Sequence, residues 1–336
     1  MTEAKSPQNG TVASARLAEA LAARFGLGAV SGPMRLVDRG VMGRVWLLPT
    51  ESGRWAAKTL LRHADPAGAE TDVRLQEAAL AAGVDLPKPV RTTDGQVLQA
   101  IRDRMWRIYE WREFGGVPAV PVESAFAAAL GATLRSIHDL ALPADGPPPG
   151  WFTQPPTPAD WHNLAARARA GQLEWASALE QVVPAFVDLG VLATPSGSPA
   201  TPVLTHRDLT PDNVRIGAGH RPTILDWENA GPLEPLSELG YVLLHWCYLP
   251  DGSVDDQGAR ALVDRYFQGV TPRPRPGPDL FAGAVCSWLN FTAGTVNNVI
   301  KNEEPDNLEF RLTNLRKMLG RPLTRPVVEE LLAATG

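Results

Sequence analysis

The chain has 336 residues, more than one small core needs, and that length predicts two lobes. Its 44% hydrophobic and 21% charged residues exclude a disordered chain, and 30 Gly with 31 Pro in no repeating period exclude a collagen-like fibre. With 32 basic residues against 37 acidic ones, the net charge of −5 argues against a nucleic-acid binder held by phosphate contacts. Residues 1–12 read as a polar tail, and Leu17, Leu21 and Phe25 at i, i+4 spacing predict a helix over 13–25. The pattern over 34–61 then becomes strand, Gly-containing turn, strand, a second turn at 51–54 and strand, a small antiparallel sheet. A helix is predicted over 67–82, stopped by Gly83 and the Pro87–Pro89 pair, and strands over 96–102 and 105–111 follow.

After Phe114-Gly115-Gly116 the character changes. Phe126, Leu130, Leu134, Ile137 and Leu140 share one face of a helix predicted over 123–140. The proline-rich stretch 143–158 reads as a connecting loop, and a helix over 159–189 is expected to break near Pro184. Residues 203–227 place short apolar strands around two polar loops. The remainder is helical, with segments around 241–246 and 257–267, a long one over 279–300 and two short terminal ones. The fold class is α+β, with an antiparallel-sheet N-lobe over 1–110, a hinge over 111–116 and a mainly helical C-lobe over 117–336. Cys247 and Cys286 sit in apolar helical settings and read as buried hydrophobes, too few for a disulfide framework or a zinc site. The opening MTEAKSPQNG lacks the apolar core of a signal peptide, and no run approaches the ~18 apolar residues of a membrane span, so a cytoplasmic protein with no membrane partner is expected.

The chemistry is carried by His206-Arg207-Asp208-Leu209-Thr210-Pro211-Asp212-Asn213, with Asp226 thirteen residues further on in Leu225-Asp226-Trp227-Glu228. An apolar strand delivers a carboxylate into a polar loop, an amide lies five residues on, and a second strand ends at another carboxylate. Phosphoryl transfer needs such a set: one carboxylate to orient the attacking hydroxyl, and oxygen ligands for Mg²⁺ on the phosphates. These motifs resemble the catalytic and metal loops of small-molecule kinases, the aminoglycoside phosphotransferase and choline-kinase-like family, and motif order agrees from about residue 30 to 300. The resemblance implies a bilobal protein-kinase-like fold, Asp208 as the catalytic carboxylate, Asn213 and Asp226 as Mg²⁺ ligands, and His206 as a loop brace. Glu228, on the same side of an extended backbone as Asp226, is either a further metal ligand or a salt-bridged side chain.

The first lobe adds Lys58, at the end of the apolar strand Trp55-Ala56-Ala57 and one of only five Lys in an Arg-rich chain. It is similar to the kinase lysine that grips the donor phosphates, and the resemblance implies a helix carboxylate beside it, Glu77 or else Glu70. Gly40 and Gly43, in the turn Asp38-Arg39-Gly40-Val41-Met42-Gly43, are the candidates for a phosphate-covering loop, although the turn lacks a full glycine-rich motif. Glu110, Trp111 and Glu113 are expected to present backbone to the purine of ATP or GTP. Trp227, Trp246 and Trp288 are candidates to line a cleft, and Trp288, Asn290 and Asn297 on the long helix are candidate acceptor-binding residues.

A Ser/Thr protein kinase shares the loop motif, but Ser237-Glu238-Leu239-Gly240 opens the next helix within a dozen residues of Asp226 and leaves no room for an activation segment. A non-catalytic nucleotide binder would be expected to have lost Lys58, Asp208, Asn213 or Asp226. The leading expectation is therefore an O-phosphotransferase acting on a small-molecule hydroxyl. The Lys-poor, Arg- and Ala-rich composition suggests an antibiotic as acceptor, with a metabolic choline- or sugar-type substrate as the alternative.

Overall fold

The computed structural model describes residues 11–39, 43–60, 65–194, 201–301 and 308–336. Gly40 lies outside them, as does Asn302-Glu303-Glu304-Pro305-Asp306, a stretch whose acids make it a candidate rim for a cationic substrate or a solvated loop. The chain divides into two compact units. One runs to Gly115 and takes back Thr223–Ala230; the other holds Gly116–Pro222 and Gly231–Gly336. Thr223–Ala230, expected in the C-lobe over 117–336, lies with the first unit.

The first unit begins with α1 (Ala15–Arg24), followed by β1 (Arg35–Arg39), β2 (Gly43–Thr50), β3 (Gly53–Leu60), α2 (Pro66–Ala81), β4 (Pro89–Val90), β5 (Gln99–Ile101) and β6 (Arg104–Glu110). The strands form one antiparallel sheet in the order β1-β2-β3-β6-β4, with β5 also on β6. Side chains alternate across it. Trp46, Leu48, Ala57, Trp106 and Ile108 face α1 and bury Leu21, Phe25 and Met34. Lys58 and Arg107, each next in sequence to a member of that core, therefore point to the opposite face. Asp65 starts α2 by accepting from the amides of Ala67 and Gly68, with Pro66 at the first helical position.

In the second unit α3 (Ser124–His138) matches its periodicity. The proline-rich connection contains one short turn of helix, α4 (Gly150–Thr153). The segment read as a single helix broken at Pro184 is two helices, α5 (Pro158–Ala170) and α6 (Ala176–Leu192), and Pro184 lies inside the second. The break comes at Gly171–Trp175 instead. There Gln172 adopts φ 50° and the Leu173 amide reaches back to the Ala168 carbonyl at 3.1 Å, closing the helix C-terminus. Beyond it come β7 (Val203–Thr205) and β8 (Val214–Ile216); β9 (Pro222–Ile224) leads into the segment that belongs to the first unit, and the second resumes with β10 (Gly231–Leu233), antiparallel to β7. The helices α7 (Pro235–Cys247), α8 (Asp256–Tyr266), α9 (Ala282–Lys301), α10 (Leu308–Gly320) and α11 (Arg325–Ala334) complete the chain. Nearly every residue of α7 from Glu238 onward is buried, so this helix is the core of the unit. Cys247 and Cys286 are buried free thiols, as expected. Among the described residues no helix is long and apolar enough to cross a membrane.

Candidate active site

Among the expected site residues, Lys58, Asp226 and Glu228 meet in the first unit, and Asp208 and Asn213 meet in the second. In the first, β3 carries Lys58 directly opposite Arg107 of β6. The Lys58 ammonium lies 2.6 Å from Asp226 Oδ1 and 2.5 Å from Glu228 Oε1, with its side chain 15% exposed. Burial alone would lower the Lys58 pKa; the carboxylates of Glu228 and Asp226 outweigh it and raise it. The same crowding acts in reverse on Glu228, which burial and the hydrogen bond with Asp226 raise to about 7. Asp226 adopts the left-handed φ of 59°, uncommon for a residue with a side chain. Trp227, expected at a cleft, is instead buried, with its indole donating to the Ile224 carbonyl at 3.3 Å.

Contrary to expectation, Lys58 is paired with Asp226 and Glu228 and with neither glutamate of α2. Glu77 and Glu70 both bind Arg91, each at 2.8 Å, on the exposed edge of α2. The residues that α2 buries are Ala69, Asp72, Val73, Leu75, Gln76 and Ala79, so its inward carboxylate is Asp72. Asp72, 1% exposed, makes a bidentate pair with Arg107 at 2.9 and 2.8 Å and accepts from Gln76 Nε2 at 3.0 Å. Burial pushes Asp72 up to about 6 even against the guanidinium. Position in the helix stripe, not resemblance in sequence, decided which acid turned inward.

Gly43 begins β2, where a Cβ would overlap the Thr59 carbonyl. Its absence lets β2 and β3 approach at the end nearest Lys58. At the end of β6 the amides of Glu110 and Trp111 donate to the carbonyls of Lys88 (2.8 Å) and Arg54 (3.1 Å). Two of the backbone groups expected to meet a purine are thus committed to the protein. Glu113 accepts from the Trp111 indole at 2.9 Å and from Arg54 at 3.1 Å.

In the second unit β7, paired through Thr205 with Gly231 of β10, delivers the His206-Arg207-Asp208 loop. His206 is fully buried, and its Nδ1 accepts from the Asp208 amide at 3.3 Å, a brace as expected. Arg207 turns the chain at φ 61°. That turn is held by Glu238 of α7, 0% exposed, whose Oε1 accepts from the Arg207 amide and whose Oε2 meets His138 Nε2 at 2.7 Å. The other ring nitrogen of His138 bonds Tyr266 Oη at 2.7 Å. Gly231 gives Arg207 its room, since a Cβ there would lie 2.6 Å from the guanidinium carbon. Trp246, also expected at a cleft, is buried and donates to the Leu209 carbonyl at 2.9 Å. Asn213 Nδ2 donates to the Asp208 carbonyl at 2.8 Å, which commits the amide's donor side to the protein and keeps its oxygen as acceptor. Tyr241 Oη donates to Asp208 Oδ1 at 3.1 Å.

Glu238 and Tyr241 were absent from the sequence-derived site. The available signal was a carboxylate and a phenol three residues apart in the otherwise apolar helix LSELGYVLLHWC. The amides assigned to an acceptor are engaged instead: Asn290 Nδ2 donates to the carbonyls of Trp151 (3.1 Å) and Gln154 (3.0 Å), and Asn297 Oδ1 accepts from Arg167 at 3.0 Å. They fasten α9 to its neighbours. Trp288 packs edge-on against Phe186.

The profile of the phosphotransferase enzyme family matches residues 34–275, most of the chain and both clusters. The chain belongs to that family. This phosphotransferase is 28% identical over 282 residues to the homoserine kinase of Gluconacetobacter diazotrophicus, covering 78% of this chain and 83% of that one. It is 27% identical over 289 residues to the homoserine kinase of Granulibacter bethesdensis, covering 83% and 87%. Among solved structures, a spectinomycin phosphotransferase in complex with ADP and spectinomycin is similar with a TM-score of 0.65 at 14% identity, over 98% of this chain and 99% of that one. At that identity the likeness speaks for the fold. The protein is a small-molecule kinase that transfers phosphate to a hydroxyl group.

Proposed function

We propose that this phosphotransferase moves the γ-phosphoryl group of ATP to the hydroxyl of a small amino-alcohol metabolite of the homoserine class. The observation that carries the chemistry is the Asp208 loop, in which buried Glu238 and His206 fix the backbone and Tyr241 meets the carboxylate. Asp208 orients the acceptor hydroxyl and takes its proton as the oxygen bonds to the γ-phosphorus and the bond to the departing ADP breaks. Lys58 supplies a compact cation for the donor phosphates. In the first unit Asp226 and Glu228 are the oxygen donors assigned to Mg²⁺, and in the second Asn213 keeps an amide oxygen of the same hard kind. They fit a hard cation in kind, and Asp226 and Glu228 set two carboxylates against the one Lys58 ammonium at 2.6 and 2.5 Å. When bound, Mg²⁺ supplies charge neutralisation on the phosphates. The homoserine kinases that align over most of both chains support the acceptor class.

The test is ADP release by the purified chain with MgATP or MgGTP, against L-homoserine, choline, ethanolamine, simple sugars and an antibiotic panel including spectinomycin. Homoserine-dependent release, with a phosphomonoester in the ³¹P spectrum, is expected. Turnover of an antibiotic without turnover of homoserine would move the acceptor to the class suggested by composition and leave the phosphotransferase reading intact. Asp208→Asn is expected to lower kcat by ~10²–10⁴ with nucleotide affinity retained; comparable turnover in that variant would remove Asp208 from its role.

A further inference from the structure

We propose that Tyr241 is a positioning residue for phosphoryl transfer: its hydroxyl holds the Asp208 carboxylate in the orientation in which it meets the acceptor hydroxyl. This rests on the reading of Asp208 as the catalytic carboxylate.

The argument starts from α7. Glu238 and Tyr241 are three residues apart, hence on one helix face. Glu238 receives the Arg207 amide, and Tyr241 donates to the Asp208 carboxylate at 3.1 Å. One buried helix face thus fixes two successive residues of the loop, the first through its backbone and the second through its side chain. Two contacts of Asp208, its amide on His206 and its carbonyl under Asn213, act on the main chain and set no side-chain torsion directly. The Tyr241 hydrogen bond acts on that torsion.

The phenol is itself held. Its ring lies 4.3 Å from the His245 ring and 6.0 Å, edge-on, from Phe152, measured between centroids. Tyr241 is buried, and burial together with the Asp208 charge raises its pKa well above the ordinary phenol value, so it stays a donor. Burial pushes His245 down to about 4, so the imidazole beside the ring is neutral and does not compete for the carboxylate as a cation. A hydrogen bond to an ionised group from a side chain locked by packing restricts rotation more than one from a mobile partner.

The experiment compares Tyr241→Phe, Tyr241→Leu and Asp208→Asn with the wild-type chain in steady-state ADP release with MgATP, using L-homoserine and water as acceptors, and in MgADP affinity by calorimetry. Tyr241→Phe keeps the ring packing and removes only the hydroxyl. It is expected to lower kcat by about 10- to 100-fold, the value of one hydrogen bond to a charged group, with the KM for MgATP and the MgADP affinity within about twofold. Tyr241→Leu is expected to fall little further. Wild-type kcat in Tyr241→Phe with loss only in Tyr241→Leu would make Tyr241 a packing residue and overturn the proposal. Parallel losses of kcat and nucleotide affinity would do the same. If Asp208→Asn loses turnover while Tyr241→Phe does not, the positioning role alone fails; if Asp208→Asn keeps turnover, the underlying reading fails. Independently of turnover, a crystal structure of Tyr241→Phe is expected to show the Asp208 carboxylate in more than one rotamer, and a single unchanged rotamer would overturn the proposal.

Discussion

Glu238 shows how one buried carboxylate can hold a catalytic loop without entering the chemistry. It is fully buried, and it accepts from the Arg207 amide and contacts His138, so both oxygens are committed within the protein. An amide of the same shape changes one acceptor into a donor, which then faces either the Arg207 N–H or the His138 ring. Glu238→Gln is therefore expected to cost about 1–3 kcal/mol, the penalty for an unsatisfied buried group. Urea unfolding with unchanged m-value would show it as a lower midpoint. Arg207, in the left-handed region, depends on that acceptor, so turnover is expected to fall more steeply than stability. A variant as active and as stable as the wild type would mean that the loop is held by its other contacts.

At the scale of elements, α2 and β6 join through a buried ion pair whose energy depends on pH. Asp72 is raised to about 6, above the usual carboxylate value near 3.9. Between pH 4 and 6 the unfolded chain releases this proton while the folded chain keeps it. The folded state then binds more protons, so the contribution of Asp72 to stability falls as pH rises through that window, by about 1.4 kcal/mol per unit, and levels off above it. Asp72→Asn carries no proton to lose and is expected to flatten the slope. Above pH 6, where Asp72 is ionised, the substitution should also lower stability by ~3–5 kcal/mol, because Arg107 is then left buried without a counter-charge. Denaturant midpoints from pH 4 to 7 for both chains check the two effects separately, and an unchanged slope in the variant would assign the pH dependence to other groups.

For the molecule as a whole, the first unit is not contiguous in sequence. Thr223–Ala230 returns to it, with the Ile224 amide on the Asp85 carbonyl at 2.8 Å and the Thr223 hydroxyl on the Asp85 carboxylate. The same segment brings Asp226 and Glu228 to Lys58 and buries Trp227. A fragment ending at Gly115 would leave the Lys58 face of the sheet without its counter-charges and expose the surface that covers Trp227. It is expected to lack the near-ultraviolet signal and cooperative unfolding of a packed domain. A fragment that unfolds cooperatively would show that the returning segment is dispensable for folding.

The sequence by itself determined the pieces whose signals are local. Periodicities of 3.6 and 2 marked most of the helices and strands, and the strand–loop–strand setting of Asp208, Asn213 and Asp226 marked the phosphotransferase chemistry. A solitary Lys58 among arginines pointed the same way. Tertiary structure decided everything that depends on which face of an element turns inward. Glu77, Glu70 and Asp72 are all acids on one helix, and only the packing of α2 selects Asp72 for the interior and gives the other two to Arg91. Asn290 and Asn297 have the chemistry of ligand-binding amides, but the carbonyls of the α4 turn and the Arg167 guanidinium claim them first. Pro184 had the local mark of a helix breaker, yet Gly171–Trp175 makes the break. Lys58 meets Asp226 across 168 positions of sequence, a pairing that no local pattern encodes because it comes into being only when the chain returns to its first sheet.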